Sequence, residues 1–274
     1  MLWATIGGMK TPPEILSDGE LRHTRDARGV HRLTLNSAAA FNVLGESMLT
    51  ALQLAIQRVQ ADEHSRAVVL AAEGKAFCAG HNLKEMKAHP ELGYYQRLFA
   101  QCTRMMMALR QLPVPVIARV QGLATAAGCQ LVAQCDLAVA VDSARFGVNG
   151  IDVGLFCATP SVPLSRNMQP KQAMEMLVTG GFIDAAEAQR RGLVNRVVAS
   201  DQIDHEIESL LEAILAKPRL ALVMGKQLFY QQAEMGIEAA YQLAGQTMAC
   251  NMMDASAQEG VQAFIDKRSP AWRT

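Results

Sequence analysis

A chain of 274 residues, half of them apolar, is long enough to bury a sizeable core in one large domain, or one domain with an appendage, without a metal or disulfide to hold it. Its 26 basic and 26 acidic residues cancel, which removes any general attraction for nucleic acid or an anionic membrane surface, so a bound phosphate would have to be gripped locally. The six cysteines, Cys78, Cys102, Cys129, Cys135, Cys157 and Cys250, include no C-x-x-C pair and no zinc-like spacing, and read as buried thiols in a reducing compartment with no metal site.

In chain order, residues 1–10 carry an apolar patch without a basic segment and long apolar core after it. Neither a secretory signal nor a mitochondrial transit peptide is expected there, and the location expected is the cytoplasm. Residues 21–35 read as two strands around the turn Asp26-Ala27-Arg28-Gly29, a hairpin at a sheet edge, with His31, Leu33 and Leu35 on one face. Leu44, Met48, Leu52, Ile56 and Val59 recur at helical spacing. Residues 67–72 form an unbroken apolar run and predict a strand buried on both faces.

Helical patterning at 104–112 stops at Pro113 and Pro115, and apolar strands are predicted at 116–120 and 137–141. The stretch 123–141 superficially looks like a membrane span. Gln130, Gln134 and Asp136 interrupt it, so it reads as a buried helix and strand, and no membrane association is expected. Strands alternating with helices define an α/β architecture with a largely parallel sheet. Beyond 200 only helices are predicted, with Ile203, Ile207, Leu210, Leu211 and Ile214 as one stripe and Pro218 as its stop. Residues 1–200 are therefore assigned to the core and 201–274 to a helical appendage.

Two strand-to-helix junctions are built from small residues that let a ligand approach the backbone closely: Phe77-Cys78-Ala79-Gly80-His81-Asn82-Leu83-Lys84-Glu85 and Gln121-Gly122-Leu123-Ala124-Thr125-Ala126-Ala127-Gly128-Cys129-Gln130. Either alone is a tight turn of the kind any α/β protein contains. Together, in this order and spacing, they resemble the enoyl-CoA hydratase/isomerase family, the crotonases, and the likeness runs over about 21–272. Residues 146–155 resemble its F-G-x-x-E-x-x-x-G-L stretch. Thr179-Gly180, Ala185-Ala186-Glu187-Ala188 and Gly192-Leu193-Val194 resemble its T-G, A-x-E-A and G-L-V segments, and Phe264 with Lys267-Arg268 its terminal F-x-x-K-R. One branch of the family shares the further motifs G-H-x-L-K-E, A-A-G-C-Q-L-V-A and V-G-L-F-C-x-T-P.

The resemblance implies a crotonase (ClpP-like) spiral of ββα turns with a helical C-terminal region, assembled as a homotrimer or a dimer of trimers, and acting on an acyl-CoA thioester. Coenzyme A enters as part of the substrate, with no separate cofactor. It places the backbone N–H groups of His81 and Ala127 in an oxyanion hole, where fixed donors meet developing negative charge. It also assigns Lys84, Phe264 and Lys267 to the coenzyme A moiety, although each lysine alone reads equally as a solvated charge.

The family's two catalytic glutamates correspond to Gln130 and Gly150, and a further acidic position used by its dienoyl-CoA isomerases corresponds to Ala158, so none of the three ionises near neutral pH. Gln130 either holds a water or is a polar helix residue. Asp152 is the carboxylate nearest the vacated second position, and the His81 imidazole either serves as a base or points away. Asp136 reads as a structural acid, and Thr159-Pro160 as a helix N-cap and first-turn proline. Without G-x-S-x-G, a serine hydrolase is disfavoured.

Overall fold

The computed structural model describes residues 12–273; the segment read for targeting signals, 1–10, lies outside them. The chain opens with β1 (Glu14–Ser17), β2 (Leu21–Arg25) and β3 (Val30–Leu35) as an antiparallel meander in which Leu21 pairs with Leu35 and Arg25 with His31. The hairpin sits further inside the sheet than expected. β1 takes the edge, and β3 pairs in parallel with β4 (Ala67–Ala72) after α1 (Glu46–Ala61) crosses over.

Three ββα turns follow. In the first, β4 is succeeded by β5 (Ala76–Cys78), α2 (Leu83–Ala88) and α3 (Leu92–Gln111); in the second, β6 (Val116–Val120) by β7 (Leu123–Thr125) and α4 (Ala127–Gln134). In the third, β8 (Leu137–Val141) is succeeded by β9 (Arg145–Gly147) and, past a 3-10 turn, α5 (Ala158–Asn167). After α6 (Pro170–Thr179) come β10 (Ile183–Asp184), α7 (Ala185–Arg190) and β11 (Arg196–Val198).

The first strand of each turn enters a seven-stranded sheet, ordered β1-β2-β3-β4-β6-β8-β11. The second enters a four-stranded sheet, ordered β10-β9-β7-β5. Each turn thus steps one strand along both sheets, and the chain spirals. β4 is buried along its whole length, as its unbroken apolar run requires, and the fully buried Phe77 and Phe146 begin the packing between the sheets.

Beyond β11 lie α8 (Ile203–Leu215), α9 (Arg219–Gln232), α10 (Ile237–Met252) and α11 (Ala255–Ile265). Ile203, Ile207 and Leu211 of α8 are buried within the main core, so the first helix past 200 belongs to the sheet's cover, and α9–α11 stand outside it. A polar knot ties α9 down. The Asp136 carboxylate accepts from the Val116 N–H at 2.7 Å, from Lys226 Nζ at 2.7 Å and from the Tyr230 hydroxyl at 2.7 Å. Asp136 is therefore structural, as its sequence context suggested, but it joins β6 and α9 as well as its own strand. Cys250 on α10 is exposed, contrary to the expectation of six buried thiols; the other five are buried. Among the described residues no helix is long and apolar enough to cross a membrane.

Candidate functional site

The second strands of the first two turns end side by side. After β5 the chain turns at Gly80, whose φ of +89° suits glycine, and a Cβ there would lie 2.9 Å from the Ala126 Cβ and 3.3 Å from the Ala127 nitrogen. After β7 it turns at Ala126, held at φ 50° and ψ −120°, a conformation an L-residue keeps only when its surroundings impose it. The Ala126 N–H supplies part of that constraint by donating to the Gly147 carbonyl at 2.9 Å. Gly128 packs the start of α4 on β5 so closely that a Cβ would fall 2.0 Å from the Cys78 carbonyl oxygen. The N–H groups of His81 and Ala127 make no backbone hydrogen bond within the described residues, and the latter opens a helix whose dipole favours negative charge.

His81 and Ala127 line a cavity of about 270 Å³. Leu83, Met86, Phe99, Val153, Leu155 and Phe156 give it an apolar wall, and His81, Thr125, Asn149, Gly150 and Cys157 also line it. The His81 ring is committed. Its Nδ1–H donates to the Leu44 carbonyl at 3.1 Å, its edge meets Phe99 with centroids 5.4 Å apart, and Nε2 is sealed from solvent without a partner. Burial depresses its basicity and the Leu44 bond opposes this only in part, so the ring is neutral at pH 7. The thiol of Cys157 is pushed up by burial, and that of Cys129 reaches about 12 for the same reason, so neither is a thiolate nucleophile.

Of the acid/base candidates, Gln130 is only 4% exposed, is not a lining residue, and leaves its Oε1 buried without a partner. Asp152 lies away from the cavity lining: its carboxylate covers Gly180, where a Cβ would come within 2.7 Å of Oδ1. Gly180 caps α6 at φ +66°, which explains both residues as one packing unit. Gly150 does line the cavity, but a Cβ on it would meet the Leu155 carbonyl oxygen at 2.4 Å and Cys157 Sγ at 2.8 Å. Ala158 lines it too.

Lys84 is exposed on α2 beside the lining residue Leu83, while Phe264, 85% exposed, borders a different hollow with Trp272, and Lys267 follows α11 at φ +55°. The structure thus brings His81, Ala127 and Gly150 together and leaves Gln130, Asp152, Phe264 and Lys267 off the lining. The expected cap at Thr159 moves: α5 starts at Ala158 with Cys157 at its N-cap, so Thr159 and Pro160 sit within its first turn. Sequence reasoning missed Thr125 and Asn149, whose side chains bond at 2.5 Å, the Thr125 hydroxyl donating to Asn149 Oδ1. The signal available was that each adjoins a motif residue, at Ala126 and Gly150.

A spiral of ββα turns that steps along two sheets, one strand at a time, is a crotonase fold. The chain belongs to the enoyl-CoA hydratase/isomerase family, whose model matches residues 25–274. It is 61% identical to an enoyl-CoA hydratase from Mycobacterium smegmatis, whose crystal structure matches with a TM-score of 0.92 over 94% of this chain and 100% of that one. The crystal structure of human enoyl-CoA hydratase domain-containing protein 3 matches at 39% identity and a TM-score of 0.89, over 93% and 100% of the two chains. The rat protein of that name is 40% identical, covering 97% of this chain and 88% of its own length. The rat, mouse, frog and human relatives are all named as mitochondrial, which overturns the expected cytoplasmic location.

Proposed function

We propose that the protein binds an acyl-CoA thioester with its carbonyl oxygen between the N–H groups of His81 and Ala127. The carrying observation is the contact of Gly80 with Ala126 and Ala127, which brings the two turns together beside an apolar cavity lined by His81 and Ala127, whose N–H groups have no backbone partner among the described residues. Donors so fixed stabilise an enolate or tetrahedral oxyanion by roughly 3 kcal/mol each. Because the backbone donates, a histidine side chain at position 81 does not disturb the arrangement.

The family binds acyl-CoA thioesters, and the nominal activity is that of an enoyl-CoA hydratase/isomerase, with coenzyme A supplied by the substrate. Hydration needs one group to activate water and another to deliver a proton. Gln130 is sealed, Gly150 has no room for a side chain and Asp152 is turned onto Gly180, so hydration is slow or replaced by chemistry that needs only a polarised thioester. The same observations favour a second reading, a protein that holds acyl-CoA without turning it over, or a scaffold with a vestigial pocket.

Lys84, at the cavity rim, suits the coenzyme A phosphates. Phe264 and Lys267 are assigned, by the family resemblance, to the coenzyme A of a neighbouring subunit, and their position off this chain's own cavity lining is consistent with that. Crotonases commonly form trimers, and a homotrimer or dimer of trimers would cover the apolar side chains that α9–α11 expose, including Phe229, Tyr241 and Met248. The test pairs calorimetry of coenzyme A esters with the loss of conjugated thioester absorbance from short and medium 2-enoyl-CoAs. Turnover supports the enzyme, micromolar binding without turnover supports the holder, and absence of binding leaves only the scaffold.

A further inference from the structure

Where β3 and β4 begin, three segments close on a polar hollow of about 420 Å³ that shares no lining residue with the cavity. They are the β2–β3 turn, the approach to β4 at 62–66 and the junction between α8 and α9. Gly29, at φ +81°, lets the first two meet, because a Cβ there would run into the His64 carbonyl oxygen. Arg25, Arg28, Arg66, Arg219 and His64 line the hollow against a single carboxylate, that of Glu63, which is exposed and screened by solvent.

Two of the arginines are already neutralised. Arg25 Nε donates to Asp62 Oδ2 at 2.6 Å, and Arg28 pairs with Asp26 at 2.8 Å and with Glu208. The other two are not. Arg66 donates to the carbonyls of Leu215 at 3.0 Å and Lys217 at 2.8 Å, and Arg219 Nε donates back to the Ser65 carbonyl at 2.9 Å. Each side chain thus crosses to the segment that carries the other, and neither makes an ion pair among the described residues. Arg66 Nε is buried without a partner. Burial, and after it the positive charge of Arg219, press the Arg66 guanidinium below its usual value. Carbonyl oxygens orient these groups without cancelling their charge, so two like charges are held part-buried on one hollow, an arrangement that an anion stabilises.

We infer that Arg66 and Arg219 form a second binding site, for a phosphate-class oxyanion: inorganic phosphate or the phosphoryl end of a small phosphomonoester. A guanidinium suits such an ion because its planar fork offers parallel N–H donors to two oxygens at once. The donors are there. Arg66 Nη1 and both terminal nitrogens of Arg219 make no hydrogen bond within the described residues, and none of them is sealed from solvent. The hollow is larger than a bare ion requires, so it admits the ester as well as the ion.

The experiment is calorimetry of the full chain with inorganic phosphate and with glycerol 3-phosphate, in chloride buffer of constant ionic strength. One or both should bind with a Kd on the order of 1 mM or tighter, the affinity that two charge-assisted contacts supply. The tighter of the two identifies the source of the phosphoryl group. Arg219→Gln keeps a donor for the Ser65 carbonyl but removes the charge, and it should weaken binding by at least about tenfold, as should Arg66→Gln. Arg219→Lys, which keeps the charge and loses the fork, should weaken it less. Melting adds a readout that a merely structural bond would not move. In chloride Arg219→Gln should melt no lower than the wild type, because a like-charge repulsion is gone, and in phosphate it should melt lower. Phosphate also stabilises proteins by exclusion from their surfaces, so a shift of equal size in the wild type and both Gln variants overturns the inference. So does an Arg219→Gln variant that melts below the wild type by the same margin in both buffers, or the absence of saturable binding of either anion up to about 10 mM. If Arg66→Gln fails to fold, the two Arg219 variants decide.

Discussion

The sulfur of Cys157 stands 2.8 Å from the point a Cβ on Gly150 would occupy, and the Leu155 carbonyl oxygen is closer still at 2.4 Å. Position 150, which the family resemblance aligns with a catalytic glutamate, is therefore filled from two sides. Gly150→Glu, alone or with Gln130→Glu, should raise the hydration rate of a 2-enoyl-CoA no higher than the wild type, and should destabilise the fold by about 1–3 kcal/mol through overpacking. Adding Cys157→Ala relieves only the sulfur contact, since the Leu155 carbonyl belongs to the backbone. Thioester absorbance and thermal melting read the two effects.

Gln130→Glu separates a sealed residue from a catalytic one. A carboxyl placed in that buried setting should have its pKa raised above the unfolded value by desolvation. Its neutral form is tolerated and its charged form is not, so the variant should match the wild type most closely at low pH and lose stability as pH rises through the raised value. Urea unfolding at pH 5 and pH 8 checks this. A variant equally stable at both would show that water reaches the site.

Gly80→Ala should weaken acyl-CoA binding at least tenfold. The substitution places a Cβ at a φ of +89° and 2.9 Å from the Ala126 Cβ, so the two turns must part. Gly19→Ala is the control, because a Cβ there has nothing within 4 Å and its affinity should be unchanged.

Lys226→Ala should cost about 3 kcal/mol, since it leaves the part-buried Asp136 carboxylate without its cation. Burial lowers the Lys226 ammonium below its usual value while Asp136 opposes that shift, so the pair holds a charge the site would otherwise shed. Tyr230→Phe removes one neutral donor from the same carboxylate and should cost about 1 kcal/mol. Urea unfolding of the two variants ranks them.

Acid should unfold the protein earlier than its carboxylates alone would dictate. His23 Nε2 and His31 Nδ1 are 2.9 Å apart, His31 Nε2 reaches Asp62 Oδ2 at 3.0 Å, and both rings are buried. Burial first, then the neighbouring His31 and Arg58, lower His23 from 6.5 to about 4. The unfolded chain therefore binds a proton that the folded one refuses, and stability falls as pH drops from 6.5 towards 4, by on the order of 3 kcal/mol. His31 is lowered by burial and adds to the same slope; Asp62, held below its usual value, acts beneath it. His23→Leu should flatten stability against pH across this window, and a slope equal to the wild type would show that the histidines are not its source.

The strands read correctly from the sequence were β2 and β3, which flank the expected turn at Asp26–Gly29, and β4, β6 and β8, because burial on both sides leaves runs that are wholly or almost wholly apolar. β5, β7 and β9 escaped. They have three residues each, too few for any period, and exist because each ladder partner in the second sheet is supplied by the next turn of the spiral. Of α3 only the last part was legible, since Leu92 and Met107 face solvent while Tyr94 and Cys102 are buried, so hydrophobicity does not track its inner face.

The sequence by itself determined the α/β alternation, the family and the two small-residue turns at His81 and Ala127, because these depend on local propensity and on glycine at a left-handed φ. Through the family resemblance it also singled out Gln130 and Gly150 as the positions to test for an acid and a base. Only the tertiary structure decided that Gly150 is closed, that Asp152 turns onto Gly180 and that Thr125 and Asn149 bond to each other on the cavity lining. Where a side chain points depends on neighbours that arrive from elsewhere in the chain: Thr125 is twenty-four residues from Asn149 in the hydrogen bond that orients it. Spacing along the sequence carries the backbone's preferences, and packing decides which polar atoms reach the cavity.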